Sequence, residues 1–225
     1  MLLQDLREQI VETARRMVVD GLVHGAQGNV SAQDRETGLV AITPSAVDKA
    51  CLTVDDVTIV DPHGKVIEGR WKPTSETPMH TIFYRERQGV GAVVHSHAPF
   101  ATAYGLQSGP LPVVLIEAAG CLGGQVAVAP YRRPGTDDVA RIALETADEG
   151  VAVILANHGL LTVGDNLERA YEASLAVETT CRLVLLVRSM GIQPQELDLA
   201  EVAAIRHGYL HAYRKTAVAS IAPGG

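Results

Sequence analysis

The sequence predicts a three-layer α/β/α domain around a central, mostly antiparallel mixed sheet. Three observations carry that expectation. Short strands joined by polar turns fill the early part of the chain, as hairpins do. Later apolar runs of strand length alternate with helices of 3.6-residue periodicity, which is how helices are laid onto a sheet. No internal repeat, composition shift or Pro/Gly/Ser-rich linker divides the 225 residues, so 1–225 read as one domain.

Leu2 to Asp20 reads as an amphipathic helix, because Leu3, Leu6, Ile10, Ala14 and Met17 recur at spacings of three and four. Gly21 follows where a C-terminal cap belongs. Val30 to Gln33 and Leu39 to Thr43 are strands across the polar turn Asp34 to Gly38. Val57 to Val60 and Lys65 to Glu68 flank Asp61-Pro62-His63-Gly64, a second hairpin signal. Thr77 to Gln88 is a helix with Pro78 tolerated in its first turn. Gly91 to His95 is a buried strand by its Ala92-Val93-Val94 run. Val113 to Ile116 and Val126 to Val128 are expected strands, with a loop from Ala118 to Gly124 between them. Thr136 to Asp148 is a helix, with Asp137 and Asp138 suited to its positive end and Gly150 as its stop. Val151 to Leu155 and Leu160 to Val163 are apolar strands. Leu167 to Met190 is the longest helix, stopped by Gly191. A last helix runs from Glu196 to Lys215, and residues 216–225 form a small-residue tail expected to fray.

Composition excludes several classes of function. The formal charge is −7, and aromatic residues make up only 4% of the chain. An acidic balance with few stacking rings argues against nucleic acid, and the same charge argues against an anionic membrane. Met1 to Leu6 carries Asp5 and no long apolar stretch, so no signal peptide is expected. No run approaches the roughly 20 apolar residues of a spanning helix. Cys51, Cys121 and Cys181 are odd in number and form no CxxC pair, which fits buried hydrophobes in a reducing cytoplasm.

Four short segments carry chemistry. His95-Ser96-His97 ends an apolar strand, and side chains at i and i+2 point to one face, where two imidazoles can share a metal ion. Taken alone, the pair fits satisfied core histidines equally well. Asn157-His158-Gly159 follows the next apolar strand, and ligand sites in α/β sheets collect at strand ends. A third imidazole there would give the three-nitrogen, open-sided set of a catalytic zinc. Lys72-Pro73-Thr74-Ser75-Glu76 precedes a helix and reads either as an anion site or as a simple cap. Gly28-Asn29-Val30-Ser31 and Thr43-Pro44-Ser45-Ala46 offer the hydroxyl and N–H donors that cradle phosphate, or are merely turns.

Taken together and in this order, the motifs Gly28-Asn29-Val30-Ser31, Thr43-Pro44-Ser45, Ser75-Glu76, His95-Ser96-His97 and Asn157-His158-Gly159 resemble the class II aldolase and ribulose-phosphate 4-epimerase family. The resemblance runs from the first helix to about Gly191. It implies a divalent metal, Zn2+ or else Mn2+ or Co2+, held by His95, His97 and His158. It implies Glu76 as the acid/base, able to ligate the metal in the empty site. It implies a phosphate pocket made by Gly28, Asn29, Ser45, Thr74 and Ser75. Thr74 stands where serine is usual, and Ala46 where glycine is usual. The implied reaction is retro-aldol cleavage of a ketose 1-phosphate to dihydroxyacetone phosphate and an aldehyde, with no lysine Schiff base. The implied assembly is a homotetramer with active sites between subunits.

One departure bears on the substrate. The fuculose-phosphate aldolase pattern carries a tyrosine where this chain has Ile116, followed by Glu117. Ile116 cannot transfer a proton, so Glu117, Tyr209 or Tyr213 would have to serve the aldehyde half, or the aldehyde differs. An apolar residue there suits a deoxy or methylthio group, which sets 5-deoxypentulose or methylthioribulose 1-phosphate beside fuculose 1-phosphate. Within the family, a 4-epimerase is disfavoured because those enzymes generally carry aspartate at the position of Glu76. A dehydratase or decarboxylase stays open. A non-catalytic scaffold like the adducin head does not fit a chain that keeps Glu76 and all three histidines.

Overall fold

The computed structural model describes residues 1–107 and 109–213. Along it run α1 (Gln4–Val19), β1 (Asn29–Gln33), β2 (Val40–Ile42), β3 (Thr58–Val60), β4 (Val66–Glu68), α2 (Thr77–Glu86), β5 (Ala92–Ser96), α3 (Pro99–Tyr104) and α4 (Ile116–Leu122). β6 (Val128–Ala129), α5 (Asp137–Ala147), β7 (Ala152–Leu155), β8 (Gly159–Gly164), α6 (Leu167–Ser189) and α7 (Leu199–Gly208) follow. The strands make one sheet in the order β4-β3-β2-β1-β5-β8-β7-β6. Every neighbouring pair is antiparallel except β6 and β7, which are parallel.

The two-residue period of the strands sorts their side chains into two cores. Val30, Ala32, Ala92, Val94 and Leu160 face α1, α3 and α6, meeting Ile10, Ala101, Tyr171 and Val177. Val93, Val153, Leu161 and Val163 face α2 and α5, meeting Met79, Phe83, Val139 and Ala143. Both faces of the sheet are therefore covered, giving the expected three layers. The same alternation puts Asn29 and Ser31 on the α2 side of β1, and the register places Asn29 directly opposite His95 of β5.

Several expectations need correction. Val113 to Ile116 is not a strand, and Ala118 to Gly124 is not a loop: Ile116 is the first residue of α4, and Gly123, at φ 75°, caps it. The apolar stripe Leu115, Ala118, Ala119 and Leu122 has helical spacing, and Gly120 within it leaves room for the Tyr209 ring, 3.3 Å from where a Cβ would stand. Leu111 and Val126 meet only in an isolated bridge, and the strand that follows is Val128–Ala129. The short helix α3 was not expected; Pro99 in its first turn reads equally as a loop. The last helix starts at Leu199 rather than Glu196 and gives way after Gly208 to a π-turn, Tyr209–Tyr213; its expected end at Lys215 lies outside the described residues. The expected frayed tail, 216–225, lies outside the described residues.

At Gly159 the backbone of β8 comes so close to β5 that a Cβ would stand 2.3 Å from the Ser96 carbonyl oxygen. Gly159→Ala is predicted to cost about 1–3 kcal/mol by forcing the two strands apart. Chemical unfolding checks this, and a loss below about 0.5 kcal/mol would mean the strands are not so tightly apposed.

Candidate active site

The end of β5, the β7–β8 turn and the start of α2 meet at one point. His95 is fully buried, and its Nδ1 donates to the Leu160 carbonyl oxygen at 3.0 Å. That bond places the proton on Nδ1 and leaves the Nε2 lone pair free, as a metal-binding imidazole requires. His97, two residues on and on the same face, brings its Nε2 to 3.1 Å from His95 Nε2. His158 is carried by the turn after β7, in which Asn157 adopts φ 59° and the His158 N–H bonds to the Leu155 carbonyl. One nitrogen from each of the three rings lies within 4.8 Å of the others. Burial lowers the pKa of His95 to about 4 and lowers that of His97, so both stay neutral near pH 7.

Glu76 immediately precedes α2 and is itself buried. Its Oε2 lies 3.2 Å from His95 Nε2 and its Oε1 3.2 Å from His158 Nε2. Asn29 Nδ2 donates to Oε2 at 2.8 Å. Burial alone would raise its pKa, but His95, His158 and Asn29 hold the carboxyl well below the usual carboxylate range. Glu76 Oε1 and His158 Nδ1 nevertheless lack a well-formed hydrogen bond, an uncommon condition for buried polar atoms. Three imidazoles converging on one point beside a carboxylate form the donor set of a divalent cation. His95, His97 and His158 would hold it and leave coordination positions open.

Behind Glu76 runs a buried chain that sequence reading missed. Tyr84 Oη lies 2.6 Å from Ser31 Oγ, Ser31 Oγ 2.7 Å from His80 Nδ1, and His80 Nε2 2.5 Å from Asn29 Oδ1. Because the Asn29 amide donates to a carboxylate, its oxygen must accept from His80 Nε2–H. His80 Nδ1 then accepts from the Ser31 hydroxyl, and Ser31 accepts from Tyr84. His80 is fully buried, and burial lowers its pKa to about 3, so one nitrogen donates while the other accepts. The available signal was periodicity: His80 lies one helical turn after Glu76, and Asn29 and Ser31 share one face of β1.

The residues expected to bind phosphate lie on turns that converge beside this centre. Gly28, at φ 67°, lets its turn press on β5; a Cβ there would stand 2.7 Å from the His95 carbonyl oxygen. Pro44 and Pro73 form a β-bridge, and Ser45 donates through N to Lys72 O and through Oγ to Pro73 O, both at 3.0 Å. Thr74 N donates to Thr43 O at 3.1 Å, Thr74 Oγ1 accepts from Glu76 N at 3.3 Å, and Ser75 is exposed. Ala46 adopts φ 59°, the left-handed conformation that glycine would take without strain.

Two expected residues, Glu117 and Tyr209, are not brought to the histidines within this chain. Glu117 is exposed on the first turn of α4, beside Ile116, which is 60% exposed. The Tyr209 hydroxyl bonds to Arg169 and donates to Glu172 at 3.1 Å. Ile116, Glu117 and Tyr209 instead line a separate, mainly apolar groove of about 1150 Å³ between α4, α6 and α7, with Leu175 and Ile205. The Tyr213 side chain lies outside the described residues.

This fold and this constellation are those of a class II aldolase. The profile of the Class II Aldolase and Adducin N-terminal domain matches residues 8–185, and the chain belongs to that family. The 5-deoxy-D-ribulose 1-phosphate aldolase of Bacillus thuringiensis serovar kurstaki is 40% identical over 193 residues, 85% of this chain and 89% of that one. The 5-methylthioribulose-1-phosphate/5-deoxyribulose-1-phosphate aldolase of Rhodospirillum rubrum is 35% identical over 77% of each chain. The L-ribulose-5-phosphate 4-epimerase UlaF of Salmonella typhi is 31% identical over 85% of this chain and 88% of its own. A solved L-fuculose 1-phosphate aldolase superposes with a TM-score of 0.89 at 32% identity, covering 93% of this chain and 98% of that one. The protein is thus an enzyme of the class II aldolase type.

His80→Leu is predicted to cost about 1–3 kcal/mol, because Asn29 Oδ1 and the Ser31 hydroxyl lose buried partners. Denaturant titration measures it. A variant as stable as the parent would show that the chain behind Glu76 is not formed.

Proposed function

We propose that the protein is a metal-dependent aldolase that cleaves a ketose 1-phosphate with a short apolar terminus, of the 5-deoxypentulose or 5-methylthiopentulose type, to dihydroxyacetone phosphate and an aldehyde. The observation that carries this reading is the convergence of His95, His97 and His158 on one point with the Glu76 carboxylate beside it. The names of two relatives, a 5-deoxyribulose and a methylthioribulose 1-phosphate aldolase, support the substrate class. Ile116 supports it too, since an apolar side chain suits a methyl or methylthio group better than a hydroxyl. Fuculose 1-phosphate is the more hydroxylated competitor.

The resident ion in this reading is zinc, with manganese or cobalt as substitutes. When bound, it acts as a Lewis acid on the substrate carbonyl. The turns at Gly28-Asn29, Ser45 and Thr74-Ser75 hold the phosphate and fix the sugar's register. The bond between C3 and C4 breaks as the C4 hydroxyl loses its proton to a base, and Glu76, ionised at rest, takes up one proton from solvent and delivers it to C3 to complete dihydroxyacetone phosphate. Glu76 needs reach for this more than a special pKa, and the Tyr84–Ser31–His80–Asn29 chain sets that reach. Glu117 is our candidate for the C4 proton, from a neighbouring subunit of a homotetramer, because the Tyr209 hydroxyl is already engaged. The exposed groove beside Glu117 supports subunit packing there. No helix among the described residues is long and apolar enough to cross a membrane, which fits the proposed cytoplasmic location.

The second reading is a 4-epimerase, favoured by the relatives of that name. Glutamate rather than aspartate at position 76 weighs against it. Incubation with 5-deoxyribulose, methylthioribulose and fuculose 1-phosphates and with ribulose 5-phosphate separates the two. The aldolase reading predicts dihydroxyacetone phosphate from the first two and no xylulose 5-phosphate. Epimerised pentulose phosphate without any triose would sink it.

Glu76→Gln is predicted to keep the metal while turnover falls about 10²–10⁴-fold. His97→Ala is predicted to lose both metal and activity, because two imidazoles hold an ion poorly. Metal analysis and steady-state kinetics on both variants check these outcomes, and wild-type turnover in either would remove that residue from the mechanism.

A further inference from the structure

Lys49 is 1% exposed, an unusual burial for an ammonium group. Its Nζ donates to Ala26 O at 3.2 Å and to Val47 O at 3.1 Å, and its backbone N donates to Gly25 O at 2.9 Å. Ala26 belongs to the turn that ends in Gly28 and Asn29. Val47 belongs to the turn that holds Ser45 and Ala46. One side chain therefore ties together two of the three turns that form the phosphate pocket.

Lys49 makes no ion pair with any carboxylate among the described residues. Its neighbour Asp48 acts on it only through space, opposing part of the effect of burial, and directs its own carboxylate to the Ala50 N–H at 2.9 Å. An ammonium carries three donors, and two are used on carbonyls. Burial pulls its pKa down to about 8, so near neutral pH it is still mainly charged. A buried cation normally needs a nearby anion to offset its desolvation, whereas an apolar side chain of similar length would fill the same space without that cost. As a brace alone, the charge is a liability.

We infer that Lys49 is a positioning residue for the substrate's phosphate: it fastens the Gly25–Gly28 turn to the Ser45–Val47 turn and supplies the local positive charge that a phosphate dianion requires. The inference rests on reading these turns as the phosphate pocket. It explains how a chain of net charge −7 presents a favourable potential to an anionic substrate without a basic surface. A bound phosphate would add the close counter-ion that Asp48, engaged with Ala50, does not provide.

Inorganic phosphate titrated into wild type, Lys49→Gln and Lys49→Met at fixed ionic strength tests this by calorimetry. Lys49→Gln keeps a hydrogen-bond donor for the turns but no charge. Phosphate Kd is expected to rise about tenfold or more in both variants. KM for the ketose 1-phosphate should rise in parallel in Lys49→Gln while kcat stays within about threefold. Variants that bind phosphate within twofold of wild type would overturn the inference, as would a loss in kcat with KM unchanged. The wild-type protein gives a reading independent of variant folding: saturating phosphate should shift the Lys49 side-chain nitrogen resonance, and an unmoved resonance counts against the role. Wild type that binds no phosphate would remove the pocket and the lysine's role together, whereas binding that ignores Lys49 would remove the lysine's role alone.

Discussion

Glu76 is a buried carboxylate, and among the described residues the groups that meet its oxygens are two imidazole rings and one amide. His95 and His158 each stand 3.2 Å from one of its oxygens, and Asn29 donates to it at 2.8 Å. Burying a charge in this way is unfavourable unless the surroundings supply donors or a cation. Much of the surrounding structure follows from that demand. The β1–β5 register sets Asn29 across from His95, the β7–β8 turn delivers His158, and α2 begins where Glu76 must point inward. A slip of one residue in β1 would turn Asn29 and Ser31 to the other face of the sheet and disconnect Glu76 from the chain behind it.

The phosphate turns answer a related electrostatic problem by different means. Gly28 and Ala46 adopt left-handed backbone, which in the proposed pocket lets N–H groups and small side chains approach the phosphate closely. In the same reading Lys49, buried beneath them, contributes charge without appearing at the surface. The acidic surface and the anionic substrate class are therefore compatible, because the charges that matter are local and buried. Both halves of the site share one construction: polar groups on short turns, held rigid by the ends of strands whose other residues build the two apolar cores.

Much of this was legible in the sequence for a simple reason. Apolar runs such as Ala92-Val93-Val94 and Val151 to Leu155 declare buried strands, and histidines at the ends of such strands stand out. Glu76 was legible through the family resemblance of Ser75-Glu76; the helix start marked by Thr74 and Ser75 read by itself as a simple cap as readily as an anion site. The chain through His80, Ser31 and Tyr84 was not, because each is an unremarkable polar residue until the strand register and α2 bring them together across long sequence separations. Lys49 escaped for the same reason, since a lysine in an acidic, turn-rich segment reads as surface. The segment 116–122 was expected as the end of a strand and a loop; the Tyr209 ring packed against Gly120 shows why a glycine suits the helix found there. Glu117 and Tyr209 were proposed near the chemistry but line a groove on another face, so any part they take requires a second subunit.

In the proposed site one divalent ion sits among His95, His97 and His158, with the phosphate cradled by the turns at Gly28, Ser45 and Thr74. Crystallography with anomalous scattering at the metal edge, on protein bound to phosphoglycolohydroxamate, tests it most directly. The account predicts one anomalous peak bounded by the three imidazoles. It places the ligand's phosphate against the Gly28-Asn29, Ser45 and Thr74-Ser75 turns, with Glu76 turned toward the ligand. An ion bound at another place on the chain, or a phosphate seated away from these turns, would contradict it.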